Sequence, residues 1–536
     1  MLTPSRSLSR RQMAQAALIT LFGFLGSSVL GVVRLFIISQ QFGTGDAMDA
    51  FVAAQRIPET IFVLVAGGAM GSAFIPVYAR QRQQDEKAAW ELASAVMTLS
   101  TLAAAILGLI TVVLAPWIVS YILLPEKTPE VQLLTSNLMR LMILTPAIFA
   151  VGGLTGVLLQ SHGLFTLPAL AISMNSVGII VGAVILAPML KVGASVAQVG
   201  ENNIYGLAWG AVLSALLYLI VQLPGLRQLK APLRPIFDWR VPGVVSVLKL
   251  MVPRMLGLAV VQINFIVNVT LAGTMANGSI AALQYSWTLM FTSLGIIAQG
   301  ISSALFPSLA ALHSEGDTAG FKDRLSGAMR TVLFLALPAT VAFIVFGRPI
   351  VQIFERGEWT AESTAATAWA LAFYAIGLAG FALLEILSRA FYAMGDTRTP
   401  VIIGIVAMVG NIILSVVFVS SFGNPNQLVR GPFGYLALAN ALTTLAEAAI
   451  LWWIMRQRIG DLSDRGIFVA TFKAGIAACV MGLVLIIIQA WRDETGLITL
   501  ILGGIIGGGT FFGISAALGL PEARSVPAII LRRIRR

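Results

Sequence analysis

Residues 30–42 read "LGVVRLFIISQQF", an apolar run interrupted by one arginine, Arg34. The run starts as far back as Ala14 and is long enough to cross a bilayer core of about 30 Å. Arg34 therefore lies inside a membrane span, and its guanidinium cannot shed its charge there. Gln40 marks the outer end of the run about six residues further on, roughly 9 Å along a helix. A long side chain covers much of that distance by snorkelling. Position alone leaves an interfacial anchor and a cavity-facing arginine evenly matched.

Composition points the same way. The chain has 536 residues, of which 57% are hydrophobic and only 11% charged. A soluble domain carries about a quarter charged residues, so this is a membrane protein. The single cysteine, Cys479, excludes a disulfide scaffold and a cysteine-rich metal site. His162 and His313 lie far apart near predicted helix ends, against a histidine-based zinc or catalytic site. No GxxxxGK[ST] phosphate loop is present. The net charge of +11 comes from basic residues in short loops, with no contiguous basic face for nucleic acid. We expect no enzyme, metal or cofactor. The coupling ion stays open among sodium, a proton and the membrane potential.

Apolar runs recur to give about fourteen spans. The first seven cores are 14–40, 51–78, 92–123, 133–160, 168–190, 205–224 and 246–273. The rest are 282–309, 329–354, 365–392, 400–421, 434–455, 467–490 and 497–519. Basic residues fall in every second connection: Arg6, Arg10 and Arg11; Arg80, Arg82 and Lys87; Arg227, Lys230, Arg234 and Arg240; Lys322 and Arg324; Arg398; Arg456, Arg458 and Arg465. The alternate connections "FGTGDAMD" and "TMANGS" hold no Lys or Arg, and "PEKTPE" holds one Lys. Both termini are thus expected in the cytoplasm of an inner-membrane protein, with "MLTPSRSLSRR" leading an uncleaved first span.

Two stretches echo each other about 230 residues apart. "AFIPVYARQ" (73–81) pairs with "ALFPSLAAL" (304–312), aligning Pro76 with Pro307. "LLQSHGLFTLP" pairs with "AFYAMGDTRTP", aligning Pro168 with Pro400, and Gly206 aligns with Gly434. We read an all-α polytopic protein of two pseudo-symmetric six-helix lobes. The lobes are 1–226 and 244–457, joined by a basic linker at 227–243 and followed by two extra helices and a basic tail at 458–536. Parallel repeats of this kind are a secondary-transporter arrangement.

Ionisable residues inside spans usually face a cavity or a partner. Here they are Arg34, Arg56, Glu59, Arg140, Arg254, Glu385, Arg389 and Glu447, with Asp46 and Asp49 at the turn between spans 1 and 2. Glu385 and Arg389 are spaced i,i+4, and mutual neutralisation on one helix face is favoured over a binding role. Arg254 lies near midplane depth. In "RIPETIFVLVAGGAMGSAF", Pro58 and the Gly67-Gly68 pair free backbone groups that need protein or water, and they are the expected bending points.

Several motifs together resemble the MurJ/MviN-type flippases of the MOP transporter superfamily: "GVVRLFIISQQFGTGDAMDAF", "RIPETIFVLVAGGAMGSAFIPVYAR", "IFERGEWTAEST" and, most specifically, "LSRAFYAMGDTRTPV". The resemblance covers essentially the whole chain. It implies a flippase carrying an undecaprenyl-pyrophosphate-linked peptidoglycan precursor, lipid II, across the inner membrane by alternating access. The implied partners are a lipid-linked saccharide diphosphate, bilayer lipids and other cell-wall synthesis proteins. It also implies that Arg34 grips phosphate, with Arg56 nearby and Asp49 steadying the first hairpin. Departures are specific. Two family arginines and an acid of span 2 fall at Phe62, Val63 and Gly67, and arginines of spans 1 and 8 fall at Ser28 and Thr288. Arg254, Arg140 or Arg389 would then substitute for the missing arginines, or the cargo differs. The alternatives are an exporter of another polyprenyl-linked saccharide, a drug/cation antiporter of the same superfamily and, last, a non-transporting scaffold.

Overall fold

The computed structural model describes residues 10–65, 68–491 and 496–524, with side chains at 10–25, 68–72 and 253–254 left aside. The helices in chain order are α1 Arg10–Phe42, α2 Asp46–Val65, α3 Gly68–Gln84, α4 Glu86–Ile118, α5 Pro129–Met142, α6 Leu144–Ser161 and α7 Thr166–Val181. Next come α8 Ala187–Met189, α9 Tyr205–Ile220, α10 Leu223–Gln228, α11 Val244–Gly273, α12 Ser279–Leu294, α13 Gly300–Ser314 and α14 Thr318–Gln352. The series ends with α15 Ala361–Ile376, α16 Leu378–Ala393, α17 Arg398–Ser421, α18 Phe433–Ile459, α19 Asp464–Trp491 and α20 Leu497–Ala517. A two-residue hairpin, Gln198–Val199 with Asn202–Asn203, holds the only strands among the described residues.

Among the described residues, eleven continuous helical stretches are long and apolar enough to cross a membrane, twelve if the bent pair α15–α16 is one span. Of the fourteen spans expected, α1 stands at the first, and α2 and α3 lie to either side of the undescribed residues 66–67 at the second. Several spans are broken. Span 4 is α5 and α6 meeting at Ile143, and span 10 bends by 46° at Gly377. A Cβ at Gly377 would lie 2.7 Å from the Ala441 backbone, so the bend serves close packing on α18. A single π-helical turn closes the third span at Val119–Leu123, and two more, at Gly182–Leu186 and Gly295–Gln299, interrupt their spans. Such turns release backbone groups that a uniform apolar pattern does not reveal.

Three marker positions of the repeat recur at matching places in their helices. Pro168 and Pro400 are each the third residue of their helices, α7 and α17, where a missing N–H costs nothing. Pro76 and Pro307 sit inside α3 and α13. Gly206 and Gly434 are each the second residue of α9 and α18, and each permits a close approach. A Cβ would come within 2.4 Å of the Ala187 backbone at Gly206, and within 2.4 Å of the Trp369 ring nitrogen at Gly434.

By packing, the chain divides into two compact units, Met1–Asn277 and Gly278–Arg536. This division falls after α11, whereas the repeat divides at the 227–243 linker. The reason lies on α11. Thr60 of α2 donates to Gln262 Oε1 at 3.4 Å, and Thr270 donates to the Ile122 carbonyl at 2.7 Å. The first unit's core gathers Phe74, Tyr78, Trp90 and Leu92 with Val244, Val247 and Met251 of α11. In the second unit α19 and α20 bury Met481, Leu485 and Phe511 against Phe334 and Phe346 of α14, which is how the two extra helices are held.

Candidate functional site

Arg34 lies half-buried on α1 beside the exposed Val32 and Val33. Among the described residues it has no hydrogen-bond or ion-pair partner. A guanidinium with five donors inside a membrane-spanning helix is costly unless something polar meets it. α1 packs chiefly along α7.

Arg56 is built into the contact between α2 and α11. It donates to Glu59 Oε2 at 3.1 Å, and its guanidinium stands 5.3 Å from the centre of the Phe265 ring. Glu59, one helical turn on, stays the more exposed partner. Beside them Thr60 donates to the Arg56 carbonyl at 2.7 Å and reaches Gln262. Pro58 is buried inside α2, which continues unbroken to Val65; Gly68 opens α3, and Gly67 lies outside the described residues. Phe62, where the resemblance implies an arginine, packs at a tilt against Phe149 with ring centres 5.1 Å apart.

Asp49 is wholly buried in the first turn of α2, where the helix N-terminus favours a carboxylate. Lys127, from the loop before α5, places its Nζ 3.6 Å from Asp49 Oδ2 and 3.6 Å from Asp46 Oδ1. The same ammonium donates to Asn277 Oδ1 at 2.6 Å, and Asn277 Nδ2 donates to Asp46 Oδ2 at 2.7 Å. Three connections are thereby tied into one charged knot, with Asp49 at its buried end.

Arg140 is separate again. Its Nε donates to the Val112 carbonyl at 3.0 Å. That carbonyl would normally receive the amide four residues on, but residue 116 is proline and has none. Arg140 fills the gap. Arg254 lies on α11, but its side chain is outside the described set.

In the second unit, Arg389 Nε and Nη2 both donate to Glu385 Oε1, at 3.1 and 2.8 Å, and Ser302 adds a third bond at 3.0 Å. The pair neutralises itself, as the i,i+4 spacing suggested. Thr288 is occupied within its own helix, donating to the Gln284 carbonyl at 2.8 Å. The "GDTRTP" motif forms the start of α17. Asp396 accepts from the Arg398 and Thr399 amides at 2.9 and 3.0 Å and from the Thr399 hydroxyl at 2.6 Å, and it is ion-paired with Arg458. Partial burial pushes this carboxyl up, but the Thr399 and Arg458 bonds outweigh it and bring it down to about 2. Among the described residues no group of three or more His, Cys, Asp or Glu is placed to hold a metal.

Sequence reasoning counted Lys127 only as a loop charge and passed over Asn277 and Phe265. Their partners lie 78 to 231 residues away along the chain, so no local spacing announces them. Gln262, Asn264 and Asn268 were legible as polar residues in the apolar "VVQINFIVNVT", and all three are buried.

The fold and this distribution of buried charge define a polytopic all-α membrane protein. Among solved structures, the chain superposes on "Lipid II flippase MurJ, inward closed conformation" with a TM-score of 0.75 at 21% identity, covering 97% of this chain and 100% of that one. It also matches an inward-facing multidrug resistance MATE family transporter of the MOP superfamily, with a TM-score of 0.66 at 16% identity, covering 82% and 96%. At these identities the likeness establishes the fold. The family profile described as "Lipid II flippase MurJ" matches residues 38–505, so the chain belongs to the MurJ family of flippases, which are transporters and not enzymes. Curated relatives agree. The "Lipid II flippase MurJ" of Burkholderia cenocepacia is 32% identical over 76% of this chain and 79% of its own length. The "Probable lipid II flippase MurJ" of Haemophilus influenzae is 30% identical over 80% and 83%.

Proposed function

We propose that this chain flips lipid II, an undecaprenyl-pyrophosphate-linked peptidoglycan precursor, across the bacterial inner membrane by alternating access, with both termini in the cytoplasm. The observation that carries the reading is Arg34. It is a half-buried guanidinium on a membrane helix, without a partner among the described residues, in a chain whose Arg56, Arg140 and Arg389 are each engaged. A diphosphate crossing hydrocarbon needs its hydration replaced by fixed cations, and the planar fork of arginine meets phosphate bidentately. The family's name and its relatives' names support lipid II as the cargo.

A second reading, an exporter of another polyprenyl-linked saccharide, is favoured by one observation. Ser28, Phe62, Val63 and Thr288 stand where the family resemblance implies arginines. The test is rescue of a host depleted of its essential lipid II flippase. Wild-type rescue supports the first reading. Failure by well-inserted protein turns the assignment to the second. Within rescuing protein, Arg34→Lys should flip at least about tenfold more slowly, because lysine keeps the charge but loses the fork. Normal flipping by Arg34→Lys would make Arg34 an interfacial anchor.

A further inference from the structure

The basic linker does more than join two repeats. Residues 233–238 run as an extended strap along α4, whose Ser94 and Thr98 offer hydroxyls one helical turn apart. The Arg234 amide donates to Ser94 Oγ at 3.3 Å and the Ile236 amide to Thr98 Oγ1 at 3.1 Å. Two residues of extended chain advance about 6.6 Å and four residues of helix about 6 Å, so the two repeats stay in step. Two of the strap's amides, those of Arg234 and Ile236, are thus satisfied without a sheet. Between strap, α4 and α6 lies a groove of about 440 Å³, open on one side. Met97, Thr101, Leu102 and Ala105 of α4 and Val151 of α6 line its apolar length, with Pro235 and Phe237 of the strap.

The two ends of the groove differ. Arg234 sits at the end nearer the start of α4, donating from one nitrogen to Glu91 at 3.0 Å and leaving the rest of its guanidinium largely exposed. Arg227, Lys230 and Arg240 lie on the same linker, which carries four cations against the single acid Asp238. Phe237 and Trp239 project from it, 70% and 63% exposed, as aromatic residues do at a membrane interface. From Ser94 the lining face of α4 runs eleven residues to Ala105, about 16 Å of helix. That matches one leaflet's hydrocarbon depth of about 15 Å.

We propose that this groove is a binding site for one anionic glycerophospholipid of the leaflet facing the basic linker. Its phosphate meets Arg234, and one acyl chain lies along Met97–Ala105. The lipid is a resident ligand, distinct from any transported cargo.

The test is native mass spectrometry of the full-length protein with phosphatidylglycerol or phosphatidylcholine of identical chains. Phosphatidylglycerol should be retained at least about tenfold better, as expected for a linker with excess positive charge. Arg234→Gln removes the headgroup contact, and Ala105→Phe fills the groove from an exposed helix position that needs no repacking. Each should cut phosphatidylglycerol retention by about tenfold. A lipid-free melting temperature equal to wild type for Ala105→Phe shows that its loss of lipid is not unfolding. Equal retention of the two lipids, or wild-type retention in either variant, overturns the site.

Discussion

Replacing Lys127 by methionine tests the charged knot most directly. The ammonium is 6% exposed, lies 3.6 Å from the wholly buried Asp49 carboxylate and donates to Asn277 at 2.6 Å. Removing one member of a buried pair costs about 3–5 kcal/mol, because the other charge stays behind in a poor dielectric. The lost bond to Asn277 belongs to the same network and does not add in full, so we expect about 4 kcal/mol. At about 2 °C per kcal/mol for a unit of this size, the apparent melting temperature should fall by about 8 °C. The assay is tryptophan-fluorescence melting of the detergent-purified chain. Lys191→Met serves as control, since its partner Glu201 is 95% exposed and the pair should matter by less than about 0.5 kcal/mol. Adding Asp49→Asn to Lys127→Met removes the stranded charge and should recover about half the loss. If Lys127→Met melts like Lys191→Met, or if the double variant shows the simple sum, the knot is not a stabilising element.

Arg140→Ala should cost about 1 kcal/mol in the same melt by exposing the Val112 carbonyl, and nothing on a Pro116→Ala background, where the helix supplies its own amide. Asp396, held at about 2, contributes stability that is fully present above its ordinary carboxyl value near 4 and is lost as pH falls through 2. Asp396→Asn should therefore lose about 1 kcal/mol at pH 7, after discounting for solvent screening, and flatten acid melts between pH 4 and 2. Gly206→Val and Gly434→Val should each reduce folded yield sharply in fluorescence-detected size exclusion, since backbone meets the new Cβ at Gly206 and an indole ring at Gly434. Normal yield for both would show that these approaches are not tight.

The all-α membrane class, the marker prolines and the family were legible because bilayer thickness and proline placement are local features of a sequence. Pro168 and Pro400 announced helix starts, and the structure puts each at the third residue of its helix. The i,i+4 spacing of Glu385 and Arg389 likewise named its own partner. Arg140 was misleading in isolation. It reads as a free intramembrane charge until Pro116, twenty-four residues earlier and on another helix, is seen to lack the donor it replaces. The three π-helical turns left no trace in hydropathy, which averages over a window wider than one turn.

The alignment of the linker strap with α4 carries a constraint on length. The strap's amides meet hydroxyls only at Ser94 and Thr98, and the next position in that series is Leu102, which has none to offer. A one-residue insertion between Leu229 and Arg234 would turn the bonding amides to the opposite side of the strand. A two-residue insertion restores the facing but moves the strap one helical turn along α4, where one of its two bonds has no acceptor. The linker is therefore indexed to its helix like a key with two teeth. Chains that keep this contact should vary in linker sequence far more readily than in the number of residues.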